Sequence, residues 1–144
     1  MQRAKLTQFK IAGLSARLSN AQPERIEALW EQFFKADIGN FISSKAGNDI
    51  YCVYHSYEGD HLAPFCMTIG YKVPADFSEE SDFSVVTIPA QTVAQFEVIG
   101  EQPQALIAQW QQIWQSAIDR AYRADFDLYD ASRSDRVVIH VGRA

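Results

Sequence analysis

The chain has 144 residues, with 13 basic and 18 acidic side chains and a formal net charge of −5. The basic residues are scattered, which argues against phosphate-backbone binding as the main activity. No apolar run is long enough to span a bilayer and no secretory core follows Met1, so a cytoplasmic protein with no membrane partner is expected. The length suits one domain over residues 1–144, able to bury roughly 70% of its unfolded surface.

Residues 4–13 read as a strand, with Leu6, Phe9 and Ile11 as its apolar positions, and a polar connection over 15–22 follows. Pro23 opens a helix expected to reach Lys35, in which Ile26, Trp30, Phe33 and Phe34 share one face. A loop over 38–49 leads to a strand at 50–57, a Gly59-Asp60 turn and a strand at 65–73. The segment 73–82, with Pro74 and several acids, reads as a connection between two halves of about 1–75 and 82–144. Strands at 83–88 and 92–99 flank a Pro89-Ala90 turn. A second helix is expected over 103–122, where Leu106, Trp110, Ile113 and Trp114 stand at the same offsets from Pro103 as the first set from Pro23. Short strands at 126–129 and 136–141 finish the chain. The matched helices indicate a duplicated unit. Two helices are too few to cover both faces of a parallel sheet, so an α+β fold with helices on one side of largely antiparallel strands is expected.

Trp30, Phe34, Trp110 and Trp114 are candidates to line an aromatic cleft between the halves. Asp127 and Tyr129 alternate with Phe126 and Leu128 and so share a strand face, a carboxylate beside a phenol. Glu97 is the rival acid. Tyr51, Tyr54, Phe65 and Tyr71 of the central hairpin are further wall candidates, and the sequence leaves open which alternate set faces inward. His55, His61 and His140 form no metal motif, and neither an HExxH nor a CxxC pair occurs. Cys52 and Cys66 are expected as packed free thiols. No cofactor is implied, and no nucleophilic triad is visible, so the chain is read as a non-enzyme.

Phe9-Lys10-Ile11-Ala12-Gly13, Leu29-Trp30-Glu31-Gln32-Phe33, Tyr51-Cys52-Val53-Tyr54, Ile69-Gly70-Tyr71, Ile88-Pro89-Ala90 and Asp125-Phe126-Asp127-Leu128-Tyr129 occur in an order that covers nearly the whole chain. That order resembles the GyrI-like, or AraC-type effector-binding, domain family, the drug-binding half of multidrug-responsive transcription regulators. The resemblance implies tandem strand-helix-strand-strand repeats about a pseudo-twofold axis, with a ligand cleft between them. It also implies small organic cations as ligands, recognised by a buried acid. Asp127 stands where the family's Phe-Glu-x-Tyr signature has the longer acid, and Cys52 where a glycine is common. With no helix-turn-helix segment in the sequence, a stand-alone sensor or sequestering domain is expected, with a separate regulator as its protein partner. The rival expectations are a protein-binding inhibitor resembling gyrase-inhibitory relatives, and a small-molecule hydrolase.

Overall fold

The computed structural model describes residues 1–78 and 81–144; of the expected connection over 73–82, positions 79 and 80 lie outside the described residues. Pro23 starts helix α1 (Pro23–Lys35) in its first turn, with Glu24 at the positive end of the helix dipole and Lys35 at the negative end. Leu29 and Phe33 are its buried residues. Helix α2 (Gln104–Gln115) begins after Pro103 and buries Leu106, Trp110 and Ile113. It stops well short of the expected Tyr122. The Ser116 hydroxyl bonds back to the Ile113 carbonyl at 2.7 Å, Ser116 turns extended, and the chain beyond bridges to Arg143.

Eight strands form one sheet: β1 (Gln2–Leu6), β2 (Phe9–Leu18), β3 (Ile50–His55), β4 (Phe65–Val73), β5 (Ser84–Ile88), β6 (Gln91–Ile99), β7 (Ala124–Tyr129) and β8 (Arg136–Gly142). The expected first strand is two strands, and β2 runs on through the stretch read as a polar connection. There Ser15 bonds to Thr68 across the ladder and Arg17 reaches Ser56 and Cys66. The spatial order is β1-β6-β8-β7-β3-β4-β2-β5, and the pairings are antiparallel.

This order is symmetric about the β7–β3 junction, with β6-α2-β7-β8 repeating β2-α1-β3-β4. The register carries the symmetry to single residues. Laying β1 on β5 takes Gln95 of the second half onto Gly13 of the first. Gly13 pairs with Gly70 and Gln95 with His140, and these pair in turn with Tyr51 and Phe126. Cys52 is therefore the equivalent of Asp127, and Tyr54 of Tyr129. Cys52 and Asp127 also pair with each other across β3 and β7, so the pseudo-twofold axis passes between them.

The sheet is rolled. β1 and β2 are six strand spacings apart, about 29 Å on a flat sheet, yet only Thr7 and Gln8 link them, a reach of roughly 11 Å. Pro89 and Ala90 impose the same closure on β5 and β6. The inner face of the roll buries Ile11, Val53, Val86, Ile88, Ala124 and Phe126. The other face carries both helices. α1 packs on β2 and β4, α2 on β6, and the central pair β3/β7 lies between them.

Candidate functional site

Strand alternation sends Ile50, Cys52 and Tyr54 of β3, and Asp125, Asp127 and Tyr129 of β7, to the helix-bearing face. Asp127 is fully buried. Trp110 of α2 donates its indole N–H to Asp127 Oδ1 at 2.9 Å, and the Tyr54 hydroxyl donates to Oδ2 at 2.5 Å. Burial raises the Asp127 carboxyl from an ordinary 3.8 to about 7; the two donors pull it down and the nearby Asp125 pushes it further up. The group therefore changes charge near neutral pH.

Two matched aromatic pairs flank the axis. Tyr54 meets Trp110 edge-on at 5.5 Å, and its equivalent Tyr129 meets Trp30 edge-on at 5.0 Å. Burial, followed by the Asp127 charge, raises the hydroxyl pKa of both tyrosines, so both stay neutral. Trp30 also stacks on Phe34 at 5.8 Å, and Phe34 is largely exposed. On the α2 side Trp114 lies 6.4 Å from Trp110 and stacks on His61 at 5.2 Å. Tyr54 and Trp110 thus touch Asp127 directly, Trp114 extends that side, and Trp30, Phe34 and Tyr129 form the matching group across the axis. Tyr71 shares this face but sits out along α1, against Phe33 and beside Gly39.

Two expected site residues lie elsewhere. Tyr51 points into the roll, against Phe9 and Phe126. Glu97 is on the same inner side, exposed at its rim and paired with Arg136 at 2.9 Å. Both positions follow from parity: Tyr51 neighbours Cys52 on β3, and Glu97 pairs with Val138, whose neighbours Val137 and Ile139 face α2. A cavity of about 460 Å³ opens beside Glu97, between Gln95, Arg136 and His140, and another of about 390 Å³ lies beside α2 at Gln109 and Ile113. Neither is lined by Asp127, whose roof is made of side chains.

Several neighbours of Asp127 are not among the expected site residues. Asp125 is fully buried and accepts from the Tyr57 hydroxyl, from Arg120 Nη2 at 2.7 Å and from the Gly142 N–H at 2.7 Å. Its place two residues before Asp127 was a usable signal. Cys52 is buried beside Asp127; burial, reinforced by that charge, holds its thiol protonated. Cys66 is also free. Among the described residues no group of three potential ligands could hold a metal ion.

An eight-stranded antiparallel sheet built from two β-α-β-β repeats, with a helix on each half, is the architecture expected of a GyrI-like/AraC-type effector-binding domain. Residues 4–141 match the integron-associated effector binding protein family, and the chain belongs to it. YobU of Bacillus subtilis is 29% identical over 129 residues, covering 84% of this chain and 81% of that protein. Two solved structures share the fold. An integron cassette protein from the Vibrio cholerae mobile metagenome has a TM-score of 0.73 at 22% identity, over 98% of this chain and 94% of its own. SAV2435, solved bound to tetraphenylphosphonium, has a TM-score of 0.79 at 17% identity, over 98% and 92%. No helix among the described residues is long and apolar enough to cross a membrane.

Proposed function

We propose that this chain binds lipophilic aromatic cations between the two helices, with Asp127 supplying the charge and Trp30, Trp110, Trp114, Phe34 and Tyr129 the contact area. The observation that carries the reading is Asp127 itself, a fully buried acid held only by two neutral donors, both from aromatic side chains. A buried carboxylate without a counter-charge is unfavourable, and its raised pKa records this. A cation that brings its own apolar surface relieves that penalty, and aromatic rings accept both the surface and the charge. The relative SAV2435, bound to tetraphenylphosphonium, supports the ligand class. Entry requires the Tyr54 hydroxyl to leave Oδ2 and the aromatic side chains above β3/β7 to part.

A hydrolase is disfavoured by Cys52. It is the nucleophilic atom type beside the acid, yet its thiol is held protonated, the reverse of an activated nucleophile. Occupancy would act through a separate regulator or by sequestering the ligand.

The test is a thermal-shift and calorimetric comparison of tetraphenylphosphonium with neutral triphenylphosphine oxide, on wild type, Asp127→Asn and Glu97→Gln. The expected result is a preference for the cation that Asp127→Asn abolishes and Glu97→Gln leaves intact. Equal stabilisation by cation and neutral compound in the wild type would sink the proposal.

A further inference from the structure

Beyond α2, the extended segment turns the Arg120 side chain inward, leaving it only 6% exposed. Nη2 bonds to Asp125, but Nε and Nη1 are buried with no hydrogen-bond partner. Rings surround the guanidinium instead: Tyr122 at 4.3 Å, Trp110 at 5.6 Å and Tyr57 at 5.8 Å. Tyr122 holds a left-handed backbone, φ 52°, unfavourable for an aromatic residue. A buried arginine kept only for an ion pair normally has its N–H groups satisfied. Three rings and one carboxylate around a cation with unpaired N–H groups is instead how a cationic ligand is held.

This cage shares a wall with the Asp127 site. The indole N–H of Trp110 serves Asp127 while its ring faces Arg120. Asp125 and Asp127 lie two residues apart on one strand face, about 7 Å along β7. We propose that Arg120 is the built-in occupant of a second cation site, and that it sets the charge selectivity of the cleft. With Arg120 holding Asp125, the site offers one open anionic position, and the ligand it selects is a monocation. A dication would place its second charge against a carboxylate already matched and a fixed positive charge behind Trp110. Without Arg120, the cage of Tyr57, Trp110, Tyr122 and Asp125 receives that second charge. The inference rests on the cation-binding reading of Asp127 for the ligand's first charge.

The experiment compares wild type, Arg120→Ala, Asp125→Asn and the double variant. The probes are tetraphenylphosphonium, an aromatic bis-amidine dication and propylguanidinium. Wild type is expected to favour the monocation. In Arg120→Ala the ratio of dication to monocation affinity rises about tenfold, the scale of one desolvated cation–aromatic contact. Millimolar propylguanidinium raises the melting temperature of Arg120→Ala and leaves that of wild type unmoved. Asp125→Asn, which leaves Arg120 unmatched, weakens the monocation about tenfold, and the double variant, with neither charge, restores it. If Arg120→Ala folds poorly, its rescue by propylguanidinium and not by neutral propylurea carries the comparison, and rescue by neither overturns the proposal. A wild-type preference for the dication, or an unchanged ratio in Arg120→Ala without propylguanidinium stabilisation, overturns the proposal. Failure of both cations on wild type, with propylguanidinium still stabilising Arg120→Ala, refutes the Asp127 reading and leaves the Arg120 cage standing.

Discussion

A cation can use Asp127 only when it is ionised, so affinity for a permanent cation must follow its titration. With a pKa of about 7, roughly one molecule in eleven carries the charge at pH 6 and about ten in eleven at pH 8. Tetraphenylphosphonium should therefore bind about tenfold more tightly at pH 8 than at pH 6, and binding at pH 6 should release close to one proton. Isothermal titration in two buffers of different ionisation enthalpy measures both. The same group shapes stability. Its folded pKa lies above the unfolded 3.8, so its contribution is fully present below pH 3.8 and is lost as pH rises to about 7. The total is roughly 4 kcal/mol, from about 1.4 kcal/mol per unit. His55 and His140, lowered to about 4 chiefly by burial, act with the opposite sign between about 4 and 6.5. The quantity to compare is thus the difference between Asp127→Asn and wild type at each pH by urea denaturation. Asp127→Asn should gain on wild type from pH 5 to pH 8 and lose the pH dependence of binding. A His61→Gln background removes the imidazole stacked on Trp114. A flat binding profile in wild type, or the same slope in Asp127→Asn, refutes the assignment of the charge to Asp127.

Trp110→Phe removes the donor to Asp127 Oδ1 and should destabilise the protein by about 1–3 kcal/mol at pH 8, less at pH 5 where the acid is neutral; carboxyl chemical shifts should show the Asp127 titration moving up. Cys52 is buried with its thiol held protonated, so in a Cys66→Ser background the native protein should resist a thiol reagent over hours and react at once in urea; rapid native labelling would contradict its placement. Gly70→Ala should destabilise by about 3 kcal/mol or more, because its Cβ would stand 2.1 Å from the Ala12 carbonyl oxygen of the paired strand; a melting temperature within a degree of wild type would contradict that close approach.

The repeat was legible because both helices carry bulky apolar residues at one spacing from a proline, and their burial on the sheet is local information. Sheet order was not, since it depends on Thr7-Gln8 and Pro89-Ala90 being too short to cross a flat sheet. That constraint rolls the sheet, and the roll decides which face is which. Alternation alone placed Asp127 with Tyr129 and apart from Phe126, but could not say whether Tyr51 or Tyr54 faced the helices. Glu97 stood as the rival to Asp127 because both sit in alternating strands; the pairing of β6 with β8 separates them. Arg120 was hidden by reading 116–122 as helix. The Ser116 hydroxyl, free to bond its own backbone, was the local cue that the helix would stop.

Duplication explains the walls of the site but not its charge. The first half supplies Trp30 and Tyr54, the second Trp110 and Tyr129, and each tryptophan meets the tyrosine of the other half. At that centre the two halves differ, one presenting Asp127 and the other Cys52. A second acid at position 52 would set two carboxylates side by side on the axis, where they would share a proton and act as a coupled pair. The thiol avoids this: it is small, apolar in behaviour and held protonated. Asp125, the other buried acid, is matched by Arg120. A symmetric aromatic frame thus holds one acid without a cationic partner, and under the proposed function the break in symmetry at residues 52 and 127 is the source of the charge preference.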